Sequence, residues 1–261
     1  MSIRTLRHLC LVAAASSALF AGSAHAGLYT NTFGAVVPGY TANDDNTFSV
    51  TLPFAFTFFG TSYISATVSN NGNIQFGTSS GAYTSAPLNT QTSFRGIAAF
   101  WSDLDSRSDP LGAIAAGTGG SAVYMNATSA NQVVFTWDRL GYFSQNYGSR
   151  TQFQLVLNNP AAVPSGEGSI GFFYGAMSGN TSLTAAIGFG DGLSAINPGE
   201  VSLASGSSSS VAAFANNTGS VWFNVNDAGT PTPTQLPEPA SLALAALALG
   251  ALGLARRRTG R

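Results

Sequence analysis

The stretch TLPFAFTFFG, residues 51–60, decides the fold class. Its large apolar residues occupy every second position: Leu52, Phe54, Phe56 and Phe58. Because successive side chains of a β-strand point to opposite faces, this period of two predicts a strand with one buried face. The stretch TQFQLVLNN, residues 151–159, repeats the pattern, with Phe153, Leu155 and Leu157 opposite Gln152, Gln154 and Val156.

Further strand candidates follow along the chain: residues 66–77, 96–101, 122–126, 131–137, 168–175, 185–190 and 221–225. Asn71-Gly72 in the first of them suits a tight hairpin turn. The chain between the candidates is rich in Gly, Ser and Asn, and we find neither a long amphipathic helix nor a repeat at solenoid spacing. ASGSSSSVAAF, residues 204–214, is expected to be a flexible loop. The pattern therefore predicts an all-β domain, a sandwich-like antiparallel β fold.

The N-terminus has the features of a secretory signal peptide over residues 1–26. Arg4 and Arg7 provide a basic start, residues 9–20 are apolar, and Ala24 and Ala26 form the small-x-small pattern that a signal peptidase accepts. We expect a cleaved signal helix and a mature chain that begins near Gly27.

The composition of the body excludes several functions. Lysine is absent, and the only cysteine and both histidines lie within the signal peptide. Residues 27–235 hold ten carboxylates and four arginines, a net charge of −6. Nucleic acid is not an expected partner, because phosphate binding needs clustered Lys and Arg. Nucleophilic triads and zinc or copper sites need His or Cys, so the body cannot build them.

The C-terminus contains a second apolar run. We assign residues 27–226 to the β-sandwich and 227–235 to a Pro/Thr-rich spacer. The spacer leads to Pro237, Glu238 and Pro239, and the 15 residues 241–255 that follow are apolar. As a helix this run would be about 22 Å long, short for a hydrocarbon core of about 30 Å.

The arginines that follow the run are Arg256, Arg257 and Arg258, which the positive-inside rule holds in the cytoplasm. A short transmembrane helix that serves as an ordinary single-span anchor is one interpretation of the whole tail, residues 236–261.

This tail resembles the PEP-CTERM sorting signal of Gram-negative bacteria that make extracellular polysaccharide. The resemblance rests on the Pro-Glu-Pro motif, the apolar run and the terminal arginines. It implies that an exosortase, a membrane-embedded cysteine protease, recognises the tail and releases the body or transfers it to the surface. The C-terminal helix would then anchor the protein in the inner membrane either transiently or permanently.

The body resembles the nidogen-like (NIDO) extracellular domain over residues 43–192. The most specific pieces are FWSDLD at 100–105, TWD at 136–138 and FQLVL at 153–157. The resemblance implies an extracellular domain associated with cell–matrix adhesion. The cysteine-rich modules that accompany this domain in animals are missing, so a particular matrix partner does not carry over.

Aromatic residues give a first set of candidate sites. Trp101 and Trp137 end alternating apolar strands and are expected to be buried core residues. Tyr142, Phe143 and Tyr147 lie between two strong strands, where a long loop could present them to a sugar or a protein. A partner-binding loop and a structural role are equally supported for these three.

Asp103, Asp105 and Asp109 form the densest group of carboxylates in the sequence. Residues two apart on a strand share a face, so Asp103 and Asp105 could converge on a calcium ion that Asp109 also reaches. The simpler alternative is that these aspartates cap a turn and pair with Arg107. A glycosidase pair needs a defined separation of two carboxylates, of which the sequence shows no sign.

These observations predict a non-enzymatic, exported protein of the cell surface or extracellular matrix. Its expected partners are an exosortase-type protease, an extracellular polysaccharide or matrix protein, and the membrane through the C-terminal helix; no cofactor is required, with calcium the one candidate. The alternatives are a dedicated carbohydrate-binding module and, more remotely, a carboxylate-dependent glycoside hydrolase.

Overall fold

The structure is a computed structural model that describes residues 27–107, 109, 121–193, 200–225 and 231–233. Two sets of predicted features lie outside the described residues. The first is the signal peptide with Ala24 and Ala26, and the second is the C-terminal tail with Pro237, Glu238, Pro239 and Arg256, Arg257 and Arg258.

The described residues are mostly β-strand. The strands are β1 (Ala35–Val36), β2 (Thr47–Phe58), β3 (Thr61–Ser69), β4 (Asn73–Gln75), β5 (Arg95–Ser102), β6 (Leu104–Asp105), β7 (Ala122–Ser129), β8 (Gln132–Tyr142), β9 (Asn146–Asn158), β10 (Ile170–Met177), β11 (Thr184–Asp191), β12 (Val201–Ser207), β13 (Val221–Val225) and β14 (Pro231–Pro233). One α-helix, α1 (Ser208–Thr218), and short 3-10 helices at Leu88–Thr90 and Pro160–Ala162 complete the described part.

The strands form two sheets. Within the described residues, an eight-stranded sheet has the order β1-β7-β8-β9-β10-β13-β14, and β6 pairs with the end of β8. A six-stranded sheet has the order β12-β11-β5-β4-β3-β2. Neighbouring strands in both sheets are antiparallel. The prediction of an all-β, antiparallel sandwich is confirmed.

The core lies between the sheets and is lined by the residues that the alternation indicates. Phe56 and Phe58 of β2 are fully buried. Phe153 of β9 stacks on Trp137 of β8 with 5.0 Å between ring centroids, and it lies 5.7 Å from Phe100 of β5. The Phe100–Phe153 contact joins the two sheets, and the predicted burial of Trp137 is confirmed.

Part of the eight-stranded sheet is also covered on its outer face. Val156, which the alternation places opposite the core, packs with Phe173 and Trp222 against Tyr29 of the N-terminal segment. Gln154 is buried as well and exchanges hydrogen bonds with the backbone of Thr30. The segment before β1 therefore covers a surface that the sequence pattern assigns to solvent.

The prediction of a flexible loop over residues 204–214 is wrong. This stretch ends β12 and forms most of α1. Ser207 caps the helix by accepting a hydrogen bond from the Ser210 backbone NH at 3.3 Å. Val211, Ala212 and Ala215 are buried, since positions three to four apart share one helix face. The serines, which we interpreted as a loop, begin the helix.

The predicted spacer also contains structure. Residues 231–233 pair with β13, with Phe223 opposite Pro233 and Val225 opposite Pro231. Proline is tolerated there because β14 is the last strand in the described order of its sheet, where a missing NH leaves no ladder bond broken. In the described part of the chain, none of the helices has the length and apolarity that crossing a membrane requires.

Candidate functional site

Three carboxylates meet where the chain passes from one sheet to the other. Asp44 and Asp45 lie in the loop before β2, and Asp103 lies in the connection from β5 to β6. Each contributes one carboxylate oxygen to a group in which all oxygens are within 4.8 Å of one another. We refer to Asp44, Asp45 and Asp103 as the acidic cluster.

Two buried asparagines in the turn between β3 and β4 position the cluster. Asn70 donates through Nδ2 to the carbonyl oxygens of Asp44 and Leu104. Asn71 donates to Oδ1 of Asp45 at 2.9 Å and accepts from the backbone NH of Leu104 at 2.8 Å. Each side chain thus connects the loop before β2 with the start of β6, directly after Asp103.

The same turn depends on a glycine. Gly72 has a φ of +80°, and a Cβ at this position would lie 2.0 Å from the carbonyl oxygen of Phe100. Its own carbonyl accepts hydrogen bonds from the backbone NH groups of Ala99 and Phe100. The turn therefore packs directly on β5, which fixes Asn70 and Asn71 beside the carboxylates.

The acidic cluster is electrostatically unfavourable as a set of three ionised groups. Asp103 is only 7% exposed, and its Oδ1 has no hydrogen-bond partner among the described residues. Burial, followed by the charges of Asp45 and Asp44, raises the pKa of Asp103 to about 7. Burial and the charge of Asp105 raise the pKa of Asp44 to about 6, and its Oδ1 is likewise buried without a described partner.

Asp45 differs from the other two members because it is exposed to solvent. Its Oδ1 is held by Asn71, while its position at the surface opens the cluster to water and solutes. The arrangement can hold a cation, or share a proton between carboxyl groups.

Asp105 has the role that turn capping predicts. Its side chain is fully buried and accepts from the backbone NH of Arg107 at 2.8 Å and from that of Gln145 at 3.0 Å. The Arg107 guanidinium pairs with Asp105 at 2.8 Å and with Oδ2 of Asp44 at 2.6 Å. Arg107 therefore neutralises part of the charge beside the cluster.

Asp109 pairs with Arg150, whereas Asp105 pairs with Arg107. Arg150 donates to its two carboxylate oxygens at 2.6 and 2.8 Å. The structure thus does not bring Asp103, Asp105 and Asp109 together as a group. Asp103 and Asp105 do not share one strand face, because β5 ends at Ser102 and the chain crosses to the other sheet before β6 begins.

The predicted long loop around Tyr142, Phe143 and Tyr147 is wrong. Strands β8 and β9 continue to a tight turn, in which Ser144 and Gln145 have φ values of +64° and +58°. Tyr142 is buried, and its hydroxyl donates to the carbonyl of residue 178 at 2.6 Å. Tyr147 is half-buried beneath the Arg150 guanidinium, at 5.0 Å from the ring centroid. Of the three aromatic side chains, Phe143 is 51% exposed.

Two family models match the chain, one over the β-sandwich and one over the C-terminal tail. The family described as NIDO related matches residues 20–232, which include strands β1 to β13 and all but the last residue of β14. The chain belongs to the NIDO-related family. A PEP-CTERM protein-sorting motif matches residues 235–258, directly after this domain. No curated protein and no solved structure matches the chain.

The sorting motif places the NIDO-related protein among exported proteins of the cell envelope. Proteins that carry this motif are recognised by an exosortase, so this protease is a partner of the tail. The resemblances on which the sequence prediction relied are therefore confirmed for both the body and the tail.

The NIDO-related domain also carries clefts on the outer face of its six-stranded sheet. One cleft of about 320 Å³ lies over β2 and β3 beside residues 77–79, and its lining is rich in hydroxyl groups: Ser49, Ser65, Thr67, Thr78 and Ser79. A neighbouring cleft of about 270 Å³ shares Gly77 and Thr78 and adds Arg95 and Asp191. Neither cleft follows from a sequence motif, since the lining comes from separate strands and loops.

Proposed function

We propose that this NIDO-related protein is a non-enzymatic component of the surface or extracellular matrix of a Gram-negative bacterium. There it takes part in cell–matrix adhesion or in the exopolysaccharide matrix. The observation that carries the proposal is the combination, in one chain, of a NIDO-related domain with a sorting motif directly after it. The motif is typical of exported proteins that are sorted through their C-terminus, and the β-sandwich is the part that is presented.

The surface chemistry of the domain supports contact with a hydrated polymer. Its body carries a net charge of −6 and no lysine. The cleft over β2 and β3 offers several hydroxyl groups, which both donate and accept hydrogen bonds, as sugar hydroxyls do. A partner would therefore be bound through many weak polar contacts.

Fractionation of the native host tests the proposal. The exported protein should be found with the extracellular polysaccharide, and enzymatic depolymerisation of that polysaccharide should release it. A strain that lacks the gene should show weaker adhesion or a less cohesive matrix. A protein that stays in the cytoplasm, or a deletion strain with an unchanged matrix and unchanged adhesion, would contradict the proposal.

A dedicated carbohydrate-binding module is the second candidate function, and the hydroxyl-lined cleft favours it. A glycan array distinguishes the two roles, because a module binds one discrete class of ligand. Ser65→Tyr would fill the cleft, and Ser129→Tyr, at an exposed position of β7 in the other sheet, is the matched control. Selective binding that disappears in Ser65→Tyr and persists in Ser129→Tyr would favour the module.

An assay for polysaccharide hydrolysis tests whether the protein is an enzyme. Hydrolysis of a polysaccharide by the purified protein, lost in Asp103→Asn, would replace the non-enzymatic proposal with a carboxylate-dependent hydrolase. We expect no such activity, because two catalytic carboxylates must flank a substrate. In the cluster, Asp103 is buried and Oδ2 of Asp44 is paired with Arg107.

A further inference from the structure

We propose that Asp44, Asp45 and Asp103 form a calcium site that joins the loop before β2 to the connection between β5 and β6. The inference concerns the folded domain itself and does not depend on the proposed function. It moves the calcium site away from the position that the sequence suggests, since only Asp103 is common to both.

The first argument is the spacing of the oxygens. One oxygen from each carboxylate lies within 4.8 Å of the others. Calcium binds oxygen at about 2.3–2.6 Å, so two ligands on opposite sides of the ion are about 5 Å apart. The spacing of the three oxygens is therefore compatible with coordination of one calcium ion.

The second argument is independent of the charge count and concerns an unpartnered buried oxygen. Asp103 is 7% exposed, and its Oδ1 has no hydrogen-bond donor among the described residues. A buried carboxylate oxygen without a partner is unfavourable, because it loses its hydration and gains nothing in return. A cation between the carboxylates provides the missing partner.

Asp44 and Asp45 each have one carboxylate oxygen bonded to a neighbouring side chain, which leaves the other oxygen for an ion. Oδ2 of Asp44 is occupied by Arg107, whereas Oδ1 is buried without a described partner. Oδ1 of Asp45 is occupied by Asn71, and the residue is exposed. Asp45 thus provides a path from solvent, and water can complete the six to eight ligands that calcium takes.

The balance of charge also favours a divalent cation. Among the described residues, the acidic cluster and Asp105 bring four carboxylates together, and the guanidinium of Arg107 pairs with two of them, Asp44 and Asp105. Bound calcium would therefore leave these four carboxylates and Arg107 with a net charge of about −1.

The type of ligand selects the ion. The cluster offers oxygen atoms, and the body from residue 27 onwards contains neither histidine nor cysteine. Oxygen donors suit calcium and magnesium, and magnesium demands a smaller, near-octahedral shell. Calcium accepts irregular coordination, which suits ligands from two separate segments. An exported protein also meets calcium at concentrations that fill even a millimolar site.

The site would stabilise the junction of the sandwich. Asp44 and Asp45 precede the edge strand of the six-stranded sheet, and Asp103 lies where the chain crosses to the eight-stranded sheet. An ion that binds only the folded state raises the melting temperature. At a calcium concentration of 100 times the dissociation constant, the expected shift is about 5 to 10 °C for a domain of this size.

Thermal unfolding of the full-length protein in detergent tests the site, in 10 mM calcium chloride and in chelator at matched ionic strength. The shift should appear in the wild type and disappear in Asp103→Asn. Asp45→Asn tests the same site at an exposed position, where folding is least at risk. Asp138→Asn is the control, since Asp138 is a buried carboxylate paired with Arg139 outside the cluster.

Isothermal titration with calcium provides the second measurement. We expect one ion per chain in the wild type and in Asp138→Asn, and none in the two cluster variants. Coincident melting curves in calcium and chelator would overturn the proposal and leave a shared proton as the means by which the carboxylates coexist. Equal shifts in calcium and magnesium would overturn the assignment of calcium.

Discussion

Replacement of Phe153 by alanine should destabilise the protein severely. The Phe153 ring is fully buried, stacks on Trp137 of its own sheet and contacts Phe100 of the opposite sheet. Truncation removes the ring from the contact between the two sheets and leaves a cavity. Because a buried Phe→Ala change combines lost transfer energy with the cavity, we expect a cost of about 3 to 5 kcal/mol.

The assay is denaturant unfolding followed by tryptophan fluorescence, with thermal unfolding as a second readout. The expected cost corresponds to a fall in melting temperature of about 6 to 20 °C. Phe143→Ala is the matched control, because it removes the same type of side chain at a position in the β8–β9 turn that is 51% exposed. This variant should change stability by less than about 0.5 kcal/mol. A cost below about 1 kcal/mol for Phe153→Ala, or similar costs for both variants, would refute the assignment of the core.

Three further changes test separate features of the structure. Gly72→Ala should cost more than about 1 kcal/mol in denaturant unfolding, because φ is +80° and the new Cβ would meet the carbonyl of Phe100; an unchanged midpoint would contradict the turn. Ser207→Ala should cost about 1 kcal/mol by removing the cap that accepts from the Ser210 NH, and a Thr replacement should restore most of it. In metal-free buffer, stability should fall as pH rises from about 4 through 7, because the raised pKa of Asp103 makes the folded state bind its proton more tightly than the unfolded state does. Asp103→Asn should reduce the difference between melts at pH 5 and pH 8 and leave the part that comes from Asp44, whose pKa is also raised; a wild type that is more stable at pH 8 would contradict this account.

The strands could be predicted because their evidence is local. Alternation over residues 51–60 and 151–159 places Phe56 and Phe153 correctly in the core. The Asn-Gly pair at 71–72 indicates the hairpin between β3 and β4, and Gly72 has the positive φ that such a turn needs. These signals depend on neighbours in sequence, so a single chain is enough to identify them.

The features that were missed depend on tertiary structure. The serine run that begins α1 is typical of a loop, and only the position of the helix beside β10 and β11 buries Val211 and Ala215. Tyr142 becomes a core residue because β8 extends farther than its apolar pattern suggests.

The acidic cluster could not be found from spacing along the chain. Asp44 and Asp45 are far from Asp103 in sequence and meet it only because the turn between β3 and β4 holds both segments. The one local signal was the Asp-Asp pair in a polar segment before a strong strand, which is equally typical of a solvated turn. Proximity in sequence favoured Asp105 and Asp109 instead, and each of these has its own arginine.

Export and sorting through the C-terminal tail are the central claim, and the intact mass of the mature protein from the native host tests them most directly. The account predicts a chain that begins near Gly27 and ends before the apolar run of residues 241–255, because the signal peptide and the sorting tail are both removed. A mass that includes Arg256, Arg257 and Arg258 on most surface molecules would contradict sorting and leave a permanent membrane anchor.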